Sequence, residues 1–148
     1  MNSFLTRCCG AIAVLALFST MAFAKTGWSE DYTKSVAQGK AEKKLVLLDF
    51  TGSDWCVWCM KLDNEVFSTP EFKDYAKDNL VLMEVDFPQE KPLESKIKAQ
   101  NDKLQAKFNI EEFPTIIVLN SEGKPVGKLG YMDGGPKAFI AALEKLKK

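Results

Sequence analysis

Apolar and polar residues fall in blocks along this chain, and the blocks predict its elements. Three runs are almost wholly apolar: Leu45-Val46-Leu47-Leu48-Asp49-Phe50, Leu80-Val81-Leu82-Met83-Glu84-Val85-Asp86 and Thr115-Ile116-Ile117-Val118-Leu119. Runs of this length without regular alternation predict central strands covered on both faces. Helical periods lie between them. Trp28, Tyr32 and Val36 predict a helix over 28–44, with Ser29 as candidate N-cap and Gly39 weakening its end. After Cys56, the residues Cys59, Leu62 and Val66 share one side of a second helix. Thr69-Pro70 predicts a restart, with Thr69 capping, Pro70 in the first helical position and Phe72, Tyr75 and Ala76 continuing it. Ser95 to Phe108 turns Ile97, Leu104 and Phe108 inward, with a break expected at Asn101-Asp102. Asn120 to Gly123 predicts a hairpin turn with Gly123 at positive φ. Pro125 to Leu129 then returns as an edge strand, where proline is tolerated. Pro136 opens a last helix that buries Phe139, Ile140, Leu143 and Leu146. The succession predicts an α/β domain, a central mixed β-sheet flanked by helices, with no repeat and no second-domain boundary.

The first 24 residues follow a different pattern. Arg7 precedes an apolar stretch from Ala11 to Phe18, and Ala22-Phe23-Ala24 has the small-x-small form of a cleavage site. A cleavable signal peptide over 1–24 is expected, followed by one domain over 25–148. The competing reading is an uncleaved anchor, for which the apolar run is short. Cys8 and Cys9 lie ahead of the run, whereas a lipid-bearing cysteine would follow it. Export to a periplasm, or to the extracellular space, places the mature chain where disulfides persist. No membrane span is expected in the mature form.

Charge and composition narrow the chemistry. Twenty basic and twenty acidic residues cancel over 148 positions; loss of Arg7 with the leader leaves nineteen against twenty, a formal charge of −1. A chain so balanced lacks the basic surface that nucleic acid requires. Histidine is absent, which excludes histidine-ligated zinc and Ser-His-Asp or Cys-His catalysis. The candidate chemistry lies in Trp55-Cys56-Val57-Trp58-Cys59. Gly52 permits a tight bend after the strand, Asp54 is a candidate cap, and Cys-x-x-Cys at a helix start is a dithiol/disulfide arrangement. There Cys56 lies near unpaired N–H groups that favour thiolate, so it is expected to be the exposed attacking sulfur. Cys59 is expected to be the more buried resolving sulfur. A purely structural staple would close a very short loop and stabilise little. An all-thiolate zinc site needs four cysteines, and only two remain after the leader. No metal and no cofactor are expected.

Asp49-Phe50, Trp55-Cys56-Val57-Trp58-Cys59 and the distant Phe113-Pro114-Thr115 together resemble the thioredoxin superfamily. The likeness covers roughly residues 30 to 146. Val66-Phe67-Ser68, Glu71 and Phe113-Pro114-Thr115-Ile116 before a glycine hairpin resemble exported thioredoxin-like proteins and the periplasmic C-terminal domain of the transmembrane thiol:disulfide interchange protein. The resemblance implies a thioredoxin-like fold and a proton-transfer role for Asp49 toward Cys59. It also implies a cis bond before Pro114, beside the cysteines, where an extended partner peptide pairs. Thr51-Gly52-Ser53-Asp54 is one residue longer than the thioredoxin loop, so a slipped register would turn Asp49 to the other sheet face. Trp55, Trp58, Phe113 and Pro114 are the expected substrate contacts. The expected function is thiol-disulfide exchange with protein thiols and disulfides, more in the reducing than the oxidising sense, by a monomer served by an upstream redox partner. A dithiol oxidase, an isomerase, a peroxide-reducing thiol protein and a nonenzymatic redox-sensitive binder are the alternatives.

Overall fold

β2 (Leu45–Thr51) runs through the middle of the sheet, and all of its residues are buried. The computed structural model describes residues 25–147; the expected leader over 1–24, with Cys8 and Cys9, lies outside the described residues. Four further strands complete the sheet: β1 (Trp28–Ser29), β3 (Leu80–Asp86), β4 (Thr115–Leu119) and β5 (Pro125–Leu129), in the order β1-β3-β2-β4-β5. β3 is parallel to β1 and β2, while β4 is antiparallel to β2 and β5. This is the mixed sheet that the apolar runs predict.

The alternation of β2 feeds two cores. Leu45 and Leu47 point to the same face as Leu62, Phe67, Phe72, Phe139 and Leu143. Those residues come from α2 (Val57–Leu62) and the π-helical turn Asp63–Phe67 that continues it, from α3 (Pro70–Asn79), and from α5 (Gly135–Lys145). Phe67 is the hub of this face, with ring centroids 5.1 Å from Trp28, 5.0 Å from Phe72 and 5.5 Å from Phe139. Val46, Leu48 and Phe50 pack on the other side with Leu104, Ile117 and Leu119, against Val36 and Phe108. That face is covered by α1 (Tyr32–Glu42) and α4 (Ser95–Lys107).

Two expectations are corrected. Trp28 and Ser29 do not begin a helix; they pair with Leu82 and Met83 as the edge strand β1. The cap of α1 is Asp31, whose carboxylate accepts the Lys34 N–H at 3.0 Å, and Ser29 instead accepts the Asp31 N–H at 3.1 Å. Asn101-Asp102 does not interrupt α4. Asn101 is buried and its side-chain amide donates to the Asp86 carbonyl at 2.9 Å, so its polarity is spent on the end of β3. Thr69 caps α3 as expected, accepting the Phe72 N–H, and Gly123 takes φ +77° in the hairpin.

Candidate active site

β2 ends at Thr51, and the turn after it hands the chain to α2. The Gly52 carbonyl accepts the Cys56 N–H at 2.9 Å, closing the turn. A Cβ on Gly52 would lie 2.4 Å from the Trp55 ring, so only glycine lets the indole lie on this backbone. Trp55 Nε1 donates to the Phe87 carbonyl at 2.8 Å. Cys56 has extended backbone angles and caps α2: its Sγ accepts the Cys59 N–H at 3.2 Å. Asp54, the expected cap, serves another segment. Its carboxylate accepts the N–H groups of Gln89, Glu90 and Lys91 at 2.9, 2.8 and 3.0 Å. Those bonds, Gln89 first, hold the Asp54 carboxyl below its ordinary range.

Cys56 and Cys59 form a disulfide with Cα atoms 5.2 Å apart. The expected contrast in exposure is absent in this oxidised state: Cys56 is 6% exposed and Cys59 5%. The Cys56 sulfur turns inward to the helix end, and the surface above is left to neighbouring side chains. Trp55, Val57, Trp58 and Met60 are exposed, Trp58 by 54%. Trp55 meets Phe113 edge-on at 5.8 Å, and Phe113 packs on Phe87 at 5.4 Å. Those contacts bring the cis Phe113–Pro114 bond to the cysteine turn from the far end of the sequence. On the other side, Trp58 packs on Tyr131 at 5.1 Å, and the Tyr131 hydroxyl donates to Glu65 at 2.7 Å. Tyr131 was not foreseen; it follows β5 in a loop whose sequence carries no periodic signal.

Asp49 shares the α2 face by alternation with Leu45 and Leu47, so the longer loop does not turn it away. It lines a cavity of about 310 Å³ together with Cys59, Lys25, Asp63 and Glu84. Asp49 is 5% exposed, and its Oδ1 has no hydrogen-bond partner among the described residues. Burial pushes its carboxyl up to about 7; Lys25 pulls it down, and Glu84 and Asp86 push it further up. Glu84 stands opposite Asp49 in the β2–β3 register. Its carboxyl is also raised, by burial first and then by Asp86. Burial lowers the Lys25 ammonium against the opposing pull of Asp49 and Glu84. Glu84 interrupts an apolar strand as Asp49 does, and that shared feature is the signal that could have found it. Nothing in the sequence marks Lys25 or Asp63 as neighbours of the cysteines.

A profile of the thioredoxin-like domain matches residues 32–147. A disulfide bond reductase, DsbH, from Chlamydia pneumoniae is 33% identical over 128 residues, covering 86% of this chain and 76% of that protein. A thiol:disulfide interchange protein, DsbD, from Cronobacter sakazakii is 32% identical over 116 residues, covering 76% of this chain but 18% of that longer protein. Among solved structures, a DsbH oxidoreductase superposes with a TM-score of 0.78 at 30% identity, over 93% of this chain and 94% of that one. The oxidised C-terminal domain of DsbD from Neisseria meningitidis shares the fold with a TM-score of 0.56 at 20% identity, over 76% of this chain and 90% of that one. A redox-capable cysteine pair at the mouth of this fold, together with these matches, shows that the chain belongs to the thioredoxin-like family, among its thiol-disulfide oxidoreductases.

Proposed function

We propose that this chain is an exported oxidoreductase that reduces disulfides of protein partners through Cys56 and Cys59. The observation that supports the reducing direction is the acid-rich cavity at Cys59, where, among the described residues, Asp49, Asp63 and Glu84 face the one side-chain ammonium of Lys25. Carboxylates oppose a further negative charge. A strongly oxidising dithiol is one whose reduced form is stabilised. Here the Cys59 thiolate is disfavoured, so the reduced pair gives up its electrons more readily. The similarity to the Chlamydia pneumoniae disulfide bond reductase points the same way.

Cys56 is the attacking sulfur, because its Sγ is the one supported by an α2 backbone N–H. It attacks one sulfur of the partner disulfide; a Cys56–partner bond forms, and the other partner sulfur leaves as thiolate and is protonated. Cys59 then attacks Cys56 Sγ. The Cys56–Cys59 bond forms, the Cys56–partner bond breaks, and the partner departs carrying both electrons. Asp49 takes the Cys59 proton as that attack begins, a task suited to a carboxyl whose proton affinity lies near neutrality. Trp55, Trp58, Phe113 and Pro114 form the rim along which an extended partner segment lies.

The cycle requires an upstream dithiol to restore Cys56 and Cys59, and no metal or cofactor enters it. The chain works as a monomer outside the cytoplasm, in a periplasm or extracellular space; the expected leader and the likeness to DsbD support that location. Among the described residues, no helix is long and apolar enough to cross a membrane. The test is repeated reduction of insulin with dithiothreitol as donor. Wild-type protein is expected to turn over and Cys56→Ser to be inactive; a wild-type protein without turnover would refute the proposal.

A further inference from the structure

Lys25 lies ahead of β1, yet its side chain reaches the cavity on which the redox step depends. Its Nζ is paired with Asp63 Oδ1. It also sits 4.5 Å from the Trp28 ring centroid and 5.2 Å from that of Phe67. An acid on one side and two aromatic faces on the other fix the ammonium, leaving the side chain 25% exposed. Lys25 supplies the one side-chain cation among the described residues that line the cavity with Asp49 and Cys59; cleavage at the expected site would add its α-amino group, which Lys25→Met leaves in place.

We infer that Lys25 is a positioning residue that sets the proton affinity of the Asp49–Cys59 pair, held at that post by Asp63. The inference rests on the proton transfer proposed above and adds the residue that tunes it. The charged groups facing this site are Asp49 from β2, Glu84 and Asp86 from β3, Asp63 from the π-helical turn and Lys73 from α3, with Glu30 and Lys91 beside Glu84. At Asp49 burial pushes the carboxyl up and Lys25 is the largest charge opposing that push, so removing the Lys25 charge should leave that acid harder to ionise. Asp63 is the counter-charge paired with Lys25 and shares the cavity lining with Asp49. Asparagine in its place keeps an amide oxygen to hold the ammonium but removes a negative charge from the cavity, and should make Asp49 easier to ionise. The two substitutions are therefore expected to move the site in opposite directions, which loss of local packing alone would not do.

The experiment is the pH profile of single-turnover oxidation of the reduced protein by a peptide disulfide, followed by tryptophan fluorescence. Wild type, Lys25→Met, Lys25→Arg, Asp63→Asn and Asp49→Asn are compared, with thermal melting of each. Lys25→Met is expected to move the midpoint up by about one pH unit, Asp63→Asn to move it down, and Lys25→Arg to restore it. Asp49→Asn is expected to abolish the titration near neutrality. If Asp49→Asn abolishes it while Lys25→Met and Asp63→Asn leave the midpoint in place, the role of Lys25 is overturned and the Asp49 transfer stands. If Asp49→Asn retains the wild-type profile, the proton transfer itself is overturned, and the tuning with it. Should Lys25→Met fail to fold, the downward shift in Asp63→Asn and the midpoint of Lys25→Arg decide the matter.

Discussion

Replacing Asp49 with asparagine is expected to stabilise the oxidised protein, and to do so more as pH rises. The folded protein holds the Asp49 proton to about pH 7, whereas the ordinary carboxyl of an unfolded chain releases it near 3.8. A raised folded value gives stability that is fully present below the unfolded value and is lost as pH climbs through the folded one. Each unit of separation is worth about 1.36 kcal/mol, so the whole gap corresponds to about 4 kcal/mol. Between pH 5 and 7 the slope amounts to roughly 2.5 kcal/mol. Asparagine keeps the shape and cannot ionise. Urea unfolding at pH 5, 6, 7 and 8, followed by tryptophan fluorescence, measures both proteins; the disulfide form keeps cysteine titration out of the comparison. Glu84 is present in both and largely cancels in the difference. The gap between Asp49→Asn and wild type should widen by roughly 2.5 kcal/mol from pH 5 to 7. Parallel stability curves across that range would refute the reasoning, because Asp49 would then ionise alike in the folded and unfolded chains.

Other outcomes follow from particular contacts. A Cβ on Gly39 would lie 2.4 Å from Val46 Cγ2, and Val46 is fully buried, so Gly39→Ala should cost about 1–3 kcal/mol in urea unfolding despite its better helix propensity. Tyr131→Ala removes the ring under Trp58; steady-state reduction of a peptide disulfide bearing aromatic neighbours should show KM raised about two- to tenfold, the worth of one aromatic pair, with the melting temperature little changed. Asp54→Ala releases three backbone N–H groups, and hydrogen exchange at Gln89, Glu90 and Lys91 should accelerate while exchange in β2 stays slow.

The parts of the fold that could be read in advance are those encoded by neighbours in sequence. Leu80–Asp86, Thr115–Leu119 and Pro125–Leu129 are strands as their apolar runs and turn residues predict. Trp28 misled because it stands at helical spacing from Tyr32, and a two-residue edge strand has no period to oppose that spacing. Asn101 misled because its polarity looked like a breaker, when its partner, the Asp86 carbonyl, comes from another element. The site divides in the same way. Cys56 and Cys59 are marked by their local spacing, and Asp49 by its oddity in an apolar strand. The cavity is different: Lys25, Asp63 and Glu84 come from three segments that meet only once β1 pairs with β3 and α2 packs on the sheet. The inward turn of Cys56 Sγ likewise depends on which residue caps α2, a competition that Asp54 loses because the Gln89–Lys91 backbone engages it.

The most direct measurement of the central claim is the reduction potential of Cys56 and Cys59, by equilibrium titration in defined glutathione buffers. A pair whose Cys59 faces an acid-lined cavity that disfavours its thiolate should titrate in the reducing range, near the value of about −270 mV typical of thioredoxin. A value near about −120 mV, the range of a strong dithiol oxidant, would contradict the account.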